Sequence, residues 1–412
     1  MRSSKSVVRS DDGSWGSVRQ VKADGEQVTA ARIPIARPVL GEEEAAAARR
    51  AILSGWVTQG PEVAAFEQEF ASAVGAAHAC AVSSCTTALH LALLACGVSE
   101  GDEVVTVSHS FIATANAIRY CGATPVFVDI DPQTFNLDPQ RLEAAIDATT
   151  RAILAVHQLG MPSDLERILA IANRHGIPVI EDAACAIGSE IRWQGGWQRI
   201  GRPHGSVACF SFHPRKLLST GDGGMLTTND AAMDAQFRLL RQHGMSVPDT
   251  VRHAASQVIA ENYPVLGFNY RLTDIQAAIG REQLKRLPDI VARRRALAAR
   301  YTLHLRGVAG LQLPFEPDWA RSNWQTYAVR VPATHQRAIM QTLLDSGIAT
   351  RRGVMNAHRE AAYPPSTWRA AGTLDQSEAA QQSAIALPLF HDLTEADQDR
   401  VIACLREAVA ST

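Results

Sequence analysis

The chain has 412 residues, 46% of them apolar and 20% charged, which is enough to enclose a core larger than that of one small domain. Its 40 lysines and arginines against 42 aspartates and glutamates leave a formal net charge of -2, so no broad positive field exists to hold a polyphosphate backbone and nucleic acid is excluded as the main partner. The cysteines at 80, 85, 96, 121, 185, 209 and 404 are odd in number and form no C-x-x-C pair; they fit neither a disulfide framework nor a zinc site, and a reduced cytoplasmic setting without a metal is expected.

In chain order, residues 1–32 read as a flexible tail, polar and Ser-rich, without the apolar stretch of a signal peptide. A helical pattern starts after Leu40-Gly41, where Glu42, Glu43 and Glu44 favour a first helical turn. Short β-branched runs then predict strands at 103–107, 125–128, 152–156, 178–180, 207–212 and 225–227. Between and around them, helical spacing predicts helices at 87–96, 113–120, 139–146, 164–174 and 231–241. The longest apolar run, near 88–96, carries His90 and is far too short to span a bilayer, so a protein without a membrane segment is expected. Buried strands separated by helices imply βαβ units and a mostly parallel sheet covered on both faces, an α/β fold. Beyond about 285 the texture changes. A long basic helix at 289–305, a strand at 326–331 and helices at 335–344 and 395–408 predict a smaller C-terminal α+β domain over 286–412, beside a large α/β domain over 33–285.

Ligands of open parallel sheets bind beyond the carboxyl ends of the strands. Asp129, His157, Asp182 and Ser211 fall there. A single acid after a strand is commonly a cap or turn residue, but the set gathers acids and a hydroxyl near one lysine. Lys216 stands in FSFHPRKLLSTGDGG, where Pro214 stiffens the approach and Gly221, Gly223 and Gly224 permit close backbone passage. A desolvated lysine amine is a nucleophile for carbonyl groups. A cofactor that uses it as a Schiff base also needs an acid beside its ring nitrogen, and Asp182 is the acid at hand. That pairing describes pyridoxal phosphate. Ser83-Ser84-Cys85-Thr86-Thr87, ahead of ALHLALLAC, offers a helix N-terminus for a phosphate, and also reads as an ordinary Ser/Thr cap. Phe111, in SHSFIATAN, is placed to lie against a ring, or to be a core aromatic.

Six motifs in order, VSSCTTALHLALLACGV, GDEVVTVSHSFIATANAI, PVFVDID, VIEDAACAIGS, FSFHPRKLLSTGDGGML and FNYRLTDIQAAIG, resemble the DegT-type sugar aminotransferases, which are fold type I pyridoxal-phosphate enzymes. The resemblance runs from about residue 33 to the C-terminus. It implies that Lys216 forms the Schiff base and shuttles the proton, that Asp182 holds the ring nitrogen protonated, and that Phe111 stacks on the ring. Thr86, Ser211 and the backbone at Cys85 would bind the phosphate, and Asn269 would reach it from the neighbouring subunit of a homodimer. The expected reaction moves an amino group, with glutamate as donor, onto a keto sugar carried on a nucleotide, by ping-pong kinetics.

Three places depart from the family's usual pattern. Cys85 stands where Gly is common, which requires that the backbone not take positive φ. Cys185 stands where Gln or His is common, removing a hydrogen-bonding side chain expected by the ring hydroxyl. Arg351-Arg352-Gly353 replaces a His-Tyr-Pro segment near the substrate's phosphates. Arginines suit a diphosphate, so Arg351, Arg352, His358 and Arg271 are the candidate substrate contacts. Two other functions compete: a deoxysugar dehydratase, which would carry histidine at position 216, and a non-catalytic binding or regulatory protein, suggested by the two cysteines.

Overall fold

Apolar runs too short for helices become strands of one sheet in the computed structural model, which describes residues 32–411. The tail expected over 1–32 lies outside these residues, apart from Arg32. The chain enters through α1 (Glu42–Leu53), whose acidic first turn is closed by Glu44 Oε2 accepting from the Gly41 N–H at 2.7 Å. Next comes α2 (Pro61–Val74), started by a proline and ended by Gly75 at φ 82°, a left-handed cap that only glycine takes without penalty.

The α/β part follows as β1 (His78–Val82), α3 (Cys85–Ala95), β2 (Glu103–Val107), α4 (Ala113–Tyr120), β3 (Thr124–Val128), α5 (Pro139–Leu142), β4 (Thr150–Val156), α6 (Leu165–His175) and β5 (Val179–Asp182). A hairpin of β6 (Glu190–Trp193) and β7 (Gly196–Arg199) precedes β8 (Val207–Ser211), β9 (Gly224–Thr228), α7 (Ala231–Arg241) and α8 (Asp249–Ala254). The predicted elements recur with ends shifted by a residue or two. The helix expected over 139–146 is the short α5 followed by a 3-10 turn at Glu143–Ala145.

Next comes α9 (Asp274–Leu305), a continuous helix of 32 residues with Pro288 inside it. The sequence predicts a start only after that proline, which forfeits a helical hydrogen bond. Tertiary packing offsets the loss: Ala277, Leu287, Ile290, Val291, Leu297 and Tyr301 are all buried along its length. Gly280 lets it cross α2 closely, since a Cβ there would sit 2.7 Å from Phe66 Cζ. The chain ends with β10 (Ala320–Arg321), β11 (Tyr327–Arg330), α10 (Gln336–Asp345), β12 (Arg351–Arg352), β13 (Arg369–Ala370), α11 (Asp375–Ser383), β14 (Ala384–Leu387) and α12 (Glu395–Ala410).

The main sheet has eight strands in the order β1-β9-β8-β5-β4-β2-β3-β13, and two small three-stranded sheets accompany it. Alternate residues of each strand feed opposite faces. Phe66, Phe70, Ile153, Phe210 and Phe212 pack on one face, and Leu89, Leu91, Leu93, Leu154 and Phe237 on the other. A further core joins Tyr301 of α9 to Tyr327, Leu343, Ile385 and Leu405. No helix among the described residues is long and apolar enough to cross a membrane.

Candidate active site

β9 runs antiparallel to both of its neighbours, while β8, β5, β4, β2 and β3 are mutually parallel. The carboxyl ends of β1, β8, β5, β4, β2 and β3 therefore share one edge, and β9 begins there. Its first residue, Gly224, pairs with Val82 on one side and Ser211 on the other. A Cβ on Gly224 would lie 2.5 Å from the Ser84 carbonyl and 2.7 Å from the Cys85 nitrogen, so only glycine lets the start of α3 rest against β9. Ser84 caps α3, its Oγ accepting from the Thr87 N–H at 3.2 Å while Thr87 Oγ1 accepts from the Ser84 N–H at 3.1 Å. The N–H groups of Cys85 and Thr86, in the first turn, have no acceptor within the helix and together with its dipole suit an anion. Cys85 is not among the described residues of positive φ, so its departure from glycine strains nothing.

Asp182 ends β5 and is buried. Its Oδ1 accepts from the Ala184 N–H at 3.2 Å and its Oδ2 from the Thr114 hydroxyl at 2.8 Å. After Ser211 ends β8, the chain bends so that the Lys216 N–H meets the His213 carbonyl at 2.8 Å. The partly buried Lys216 then donates from Nζ to Cys185 Sγ at 3.1 Å. Burial lowers the pKa of this amine, but Cys185, Cys85 and Asp182 raise it, and the net direction is above ordinary lysine. Burial pushes the Cys85 thiol well up, with Asp182 and Cys185 acting the same way and Lys216 against them. Cys85, Asp182, Cys185 and Lys216 thus form one electrostatic cluster.

No carboxylate hydrogen-bonds Lys216 Nζ among the described residues; its partner is a sulfur, a weak acceptor. The neighbours hold the amine in its charged form on balance, so it must give up a proton before it can attack a carbonyl. An anionic ring that bears an aldehyde and a basic nitrogen fits these residues. Lys216 would face the aldehyde, Asp182 the nitrogen, and the Cys85 and Thr86 N–H groups with the Ser211 hydroxyl the phosphate.

The remaining predicted residues lie farther out. Phe111 follows β2 and is 62% exposed, leaving a large apolar face open on the edge where β2 ends. Asn269 is exposed and accepts from Arg271 Nε at 3.3 Å, and Arg271 Nη1 lies 3.7 Å from Asp249 Oδ2. Arg351 and Arg352 are exposed on β12, with Arg352 Nη2 3.6 Å from Glu360 Oε1. The charge of Arg351 adds to burial in lowering the pKa of Arg215. His358 is engaged at both ring nitrogens, by Ser108 Oγ at 2.7 Å and Glu378 Oε1 at 3.2 Å. Among the described residues no hydrogen bond or ion pair joins Asn269, Arg271, Arg352 or His358 to the Lys216 cluster. Two acids at strand ends are occupied elsewhere. Asp129 accepts from the N–H groups of Gln376 and Ser377 at 2.9 and 2.8 Å and so caps α11, and Glu181 pairs with His157 at 3.1 Å.

Sequence reasoning missed three supports. Thr114 was detectable, lying one helical turn past Ser110 in SHSFIATAN. Asn323 and Gln325 carry no signal, because they arrive from a remote part of the chain. Asn323 Nδ2 donates to the carbonyls of Cys185 and Ile187, each at 2.8 Å, and Gln325 Nε2 to that of Arg215 at 2.6 Å.

The signature of the DegT/DnrJ/EryC1/StrS aminotransferase family matches residues 38–406. The chain is 38% identical over 382 residues to the spore coat polysaccharide biosynthesis protein SpsC of Bacillus subtilis (strain 168), covering 92% of this chain and 97% of that protein. Among solved structures, the aminotransferase TlmJ from Streptoalloteichus hindustanus superposes with a TM-score of 0.85 at 35% identity, over 92% of this chain and all of that one (100%). Spr1654 of Streptococcus pneumoniae, solved in its PLP-form, superposes at 0.85 with 25% identity, over 92% of this chain and 99% of its own.

Proposed function

The chain belongs to the DegT/DnrJ/EryC1/StrS aminotransferase family and is a pyridoxal-phosphate-dependent sugar aminotransferase of the type I fold, and from that premise we propose that it aminates a nucleotide-linked keto sugar with L-glutamate as donor. The observation that carries the residue roles is the meeting, at one sheet edge, of Lys216, Asp182 and the start of α3, with Gly224 between β1 and β8. Bound pyridoxal phosphate supplies a carbonyl that takes up amines and a ring that draws off electrons. Asp182 would hold a proton on the ring nitrogen, and Phe111 would pack against the ring. Thr86, Ser211 and the Cys85 N–H bind the phosphate. Lys216 Nζ removes the proton from the donor's α-carbon and, in the second half-reaction, delivers one to the sugar carbon. One pocket serves both substrates in turn, so ping-pong kinetics follow.

Arg351, Arg352 and Arg271 are the proposed anchors for the sugar's diphosphate. His358, held by Ser108 and Glu378, acts as a brace beneath that region. Asn269 belongs to the same proposal, reaching the phosphate of a second copy in a homodimer with shared sites. So do a cytoplasmic location and a division of the chain at 285 into a large domain and a small one, the latter built on the separate core around Tyr301 and Tyr327. The test is a visible spectrum of the protein with pyridoxal phosphate, before and after L-glutamate. The expected band fades with glutamate and is missing, together with turnover, in Lys216→Ala. A band indifferent to glutamate would remove it as the donor. Normal turnover in Lys216→Ala would overturn the residue assignment.

A further inference from the structure

We propose that Ser110 and Thr114 form a one-way hydroxyl relay that positions Asp182 for the cofactor's ring nitrogen. This rests on the role proposed above for Asp182.

All three residues are buried. Thr114 Oγ1 lies 2.8 Å from Asp182 Oδ2 and 2.8 Å from Ser110 Oγ. An ionised carboxylate only accepts, and a threonine hydroxyl has one proton. Thr114 therefore spends its proton on Asp182, and the Ser110 hydroxyl must donate to Thr114. Each hydrogen bond polarises the next, strengthening the grip on the carboxylate. The same turn sets Phe111, whose carbonyl accepts from the Thr114 N–H at 3.1 Å. Ring face and ring nitrogen are thus approached from one short segment.

Structural carboxylates in this chain are more fully used. Asp274 accepts three backbone N–H bonds, from Gly60, Glu62 and Val63. Asp129 accepts from the N–H groups of Ile130, Gln376 and Ser377 and from the Ser377 hydroxyl. A carboxylate has room for about four such bonds. Asp182 accepts two, from Ala184 and Thr114, one on each oxygen. Both oxygens are steered while each keeps capacity for a further donor, as a residue serving a ring N–H requires and a purely structural acid does not.

The experiment titrates apoprotein variants with pyridoxal phosphate by absorbance. Thr114→Val should bind about tenfold more weakly, the loss expected for one hydrogen bond to a charged group. Thr114→Ser should stay within about threefold of wild type, because it keeps the donor. Asp182→Asn should bind at least as weakly as Thr114→Val, and in that background Thr114→Val should add nothing, since the two act as one unit. Weak binding in Asp182→Asn with wild-type binding in Thr114→Val would overturn the relay and leave the Asp182 role standing. Wild-type binding in Asp182→Asn would overturn that role itself. Full additivity of the two substitutions would also overturn the relay, by marking Thr114 as merely structural. If Thr114→Val does not fold, Ser110→Ala decides: weaker binding that vanishes in the Asp182→Asn background supports the relay, and unchanged binding overturns it.

Discussion

Cys185 holds Lys216 in its protonated form, and removing the sulfur should speed cofactor capture. In Cys185→Ala the Nζ–Sγ contact of 3.1 Å disappears. Hydrogen bonds to charged groups contribute about 1.5–3 kcal/mol, and sulfur is a weak acceptor, so the lower end of that range applies. About 1.4 kcal/mol is a factor of ten in an equilibrium, so the neutral amine fraction at neutral pH rises about tenfold. Only the neutral amine attacks a carbonyl, and capture should quicken by the same factor. The sign follows from the direction of the shift: the amine's pKa lies above ordinary lysine, so at neutral pH it is mostly charged. Wild-type capture should therefore climb steadily with pH into the alkaline range, and Cys185→Ala should level off at lower pH. Cys185→Ser keeps an acceptor and should behave like wild type. The assay is stopped-flow absorbance on mixing apoprotein with pyridoxal phosphate across that range. Slower or equal capture by Cys185→Ala, or a flat wild-type profile, would refute the reasoning.

Three further outcomes follow from the packing. Gly224→Ala forces a methyl against the Ser84 carbonyl; overpacking of that kind costs about 1–3 kcal/mol, and both the melting temperature and the affinity for pyridoxal phosphate should fall. Glu67→Gln should destabilise the chain by about 3–5 kcal/mol in urea unfolding, because the buried Arg241 loses its counter-charge. Burial raises the Glu67 pKa, but Arg241 and Arg238 outweigh it and hold the carboxyl below the usual glutamate range. The stability it contributes is present above that range and lost as pH falls through the lowered pKa, so the gap between wild type and Glu67→Gln should close in acid. Asp274→Ala strips the acceptor from the N–H groups of Gly60, Glu62 and Val63 and should cost about 1–2 kcal/mol, as lost helix caps do, lowering the melting temperature without changing the absorbance band.

Much of the fold was legible because its signals are local. β-Branched runs such as EVVTV and helical spacing such as that of 231–241 bury a face wherever they are placed, so strand and helix positions survive folding with small shifts. β1 was missed because HACAV is short and rich in alanine and cysteine, and it becomes a strand only through its antiparallel pairing with β9. The start of α9 was misplaced because Pro288 is a strong local signal that distributed packing outweighs. At the site, Lys216, Asp182, Ser211 and the Ser84 cap could be named from residue type and their places at strand ends.

Which of these residues meet was a different matter. The α/β class, and the lysine, acid and capped helix start proposed as the site, can be read from local sequence because each depends on neighbours a few residues away. It takes the folded chain to show that Gly224 brings β1 and β8 together, that Cys185 rather than a carboxylate accepts from Lys216 Nζ, and that the Thr114 hydroxyl donates to Asp182. The Cys185–Lys216, Thr114–Asp182 and Val82–Gly224 contacts join residues 31 to 142 positions apart. Their energies depend on distances of a few ångströms that only the closed sheet and its packed helices impose.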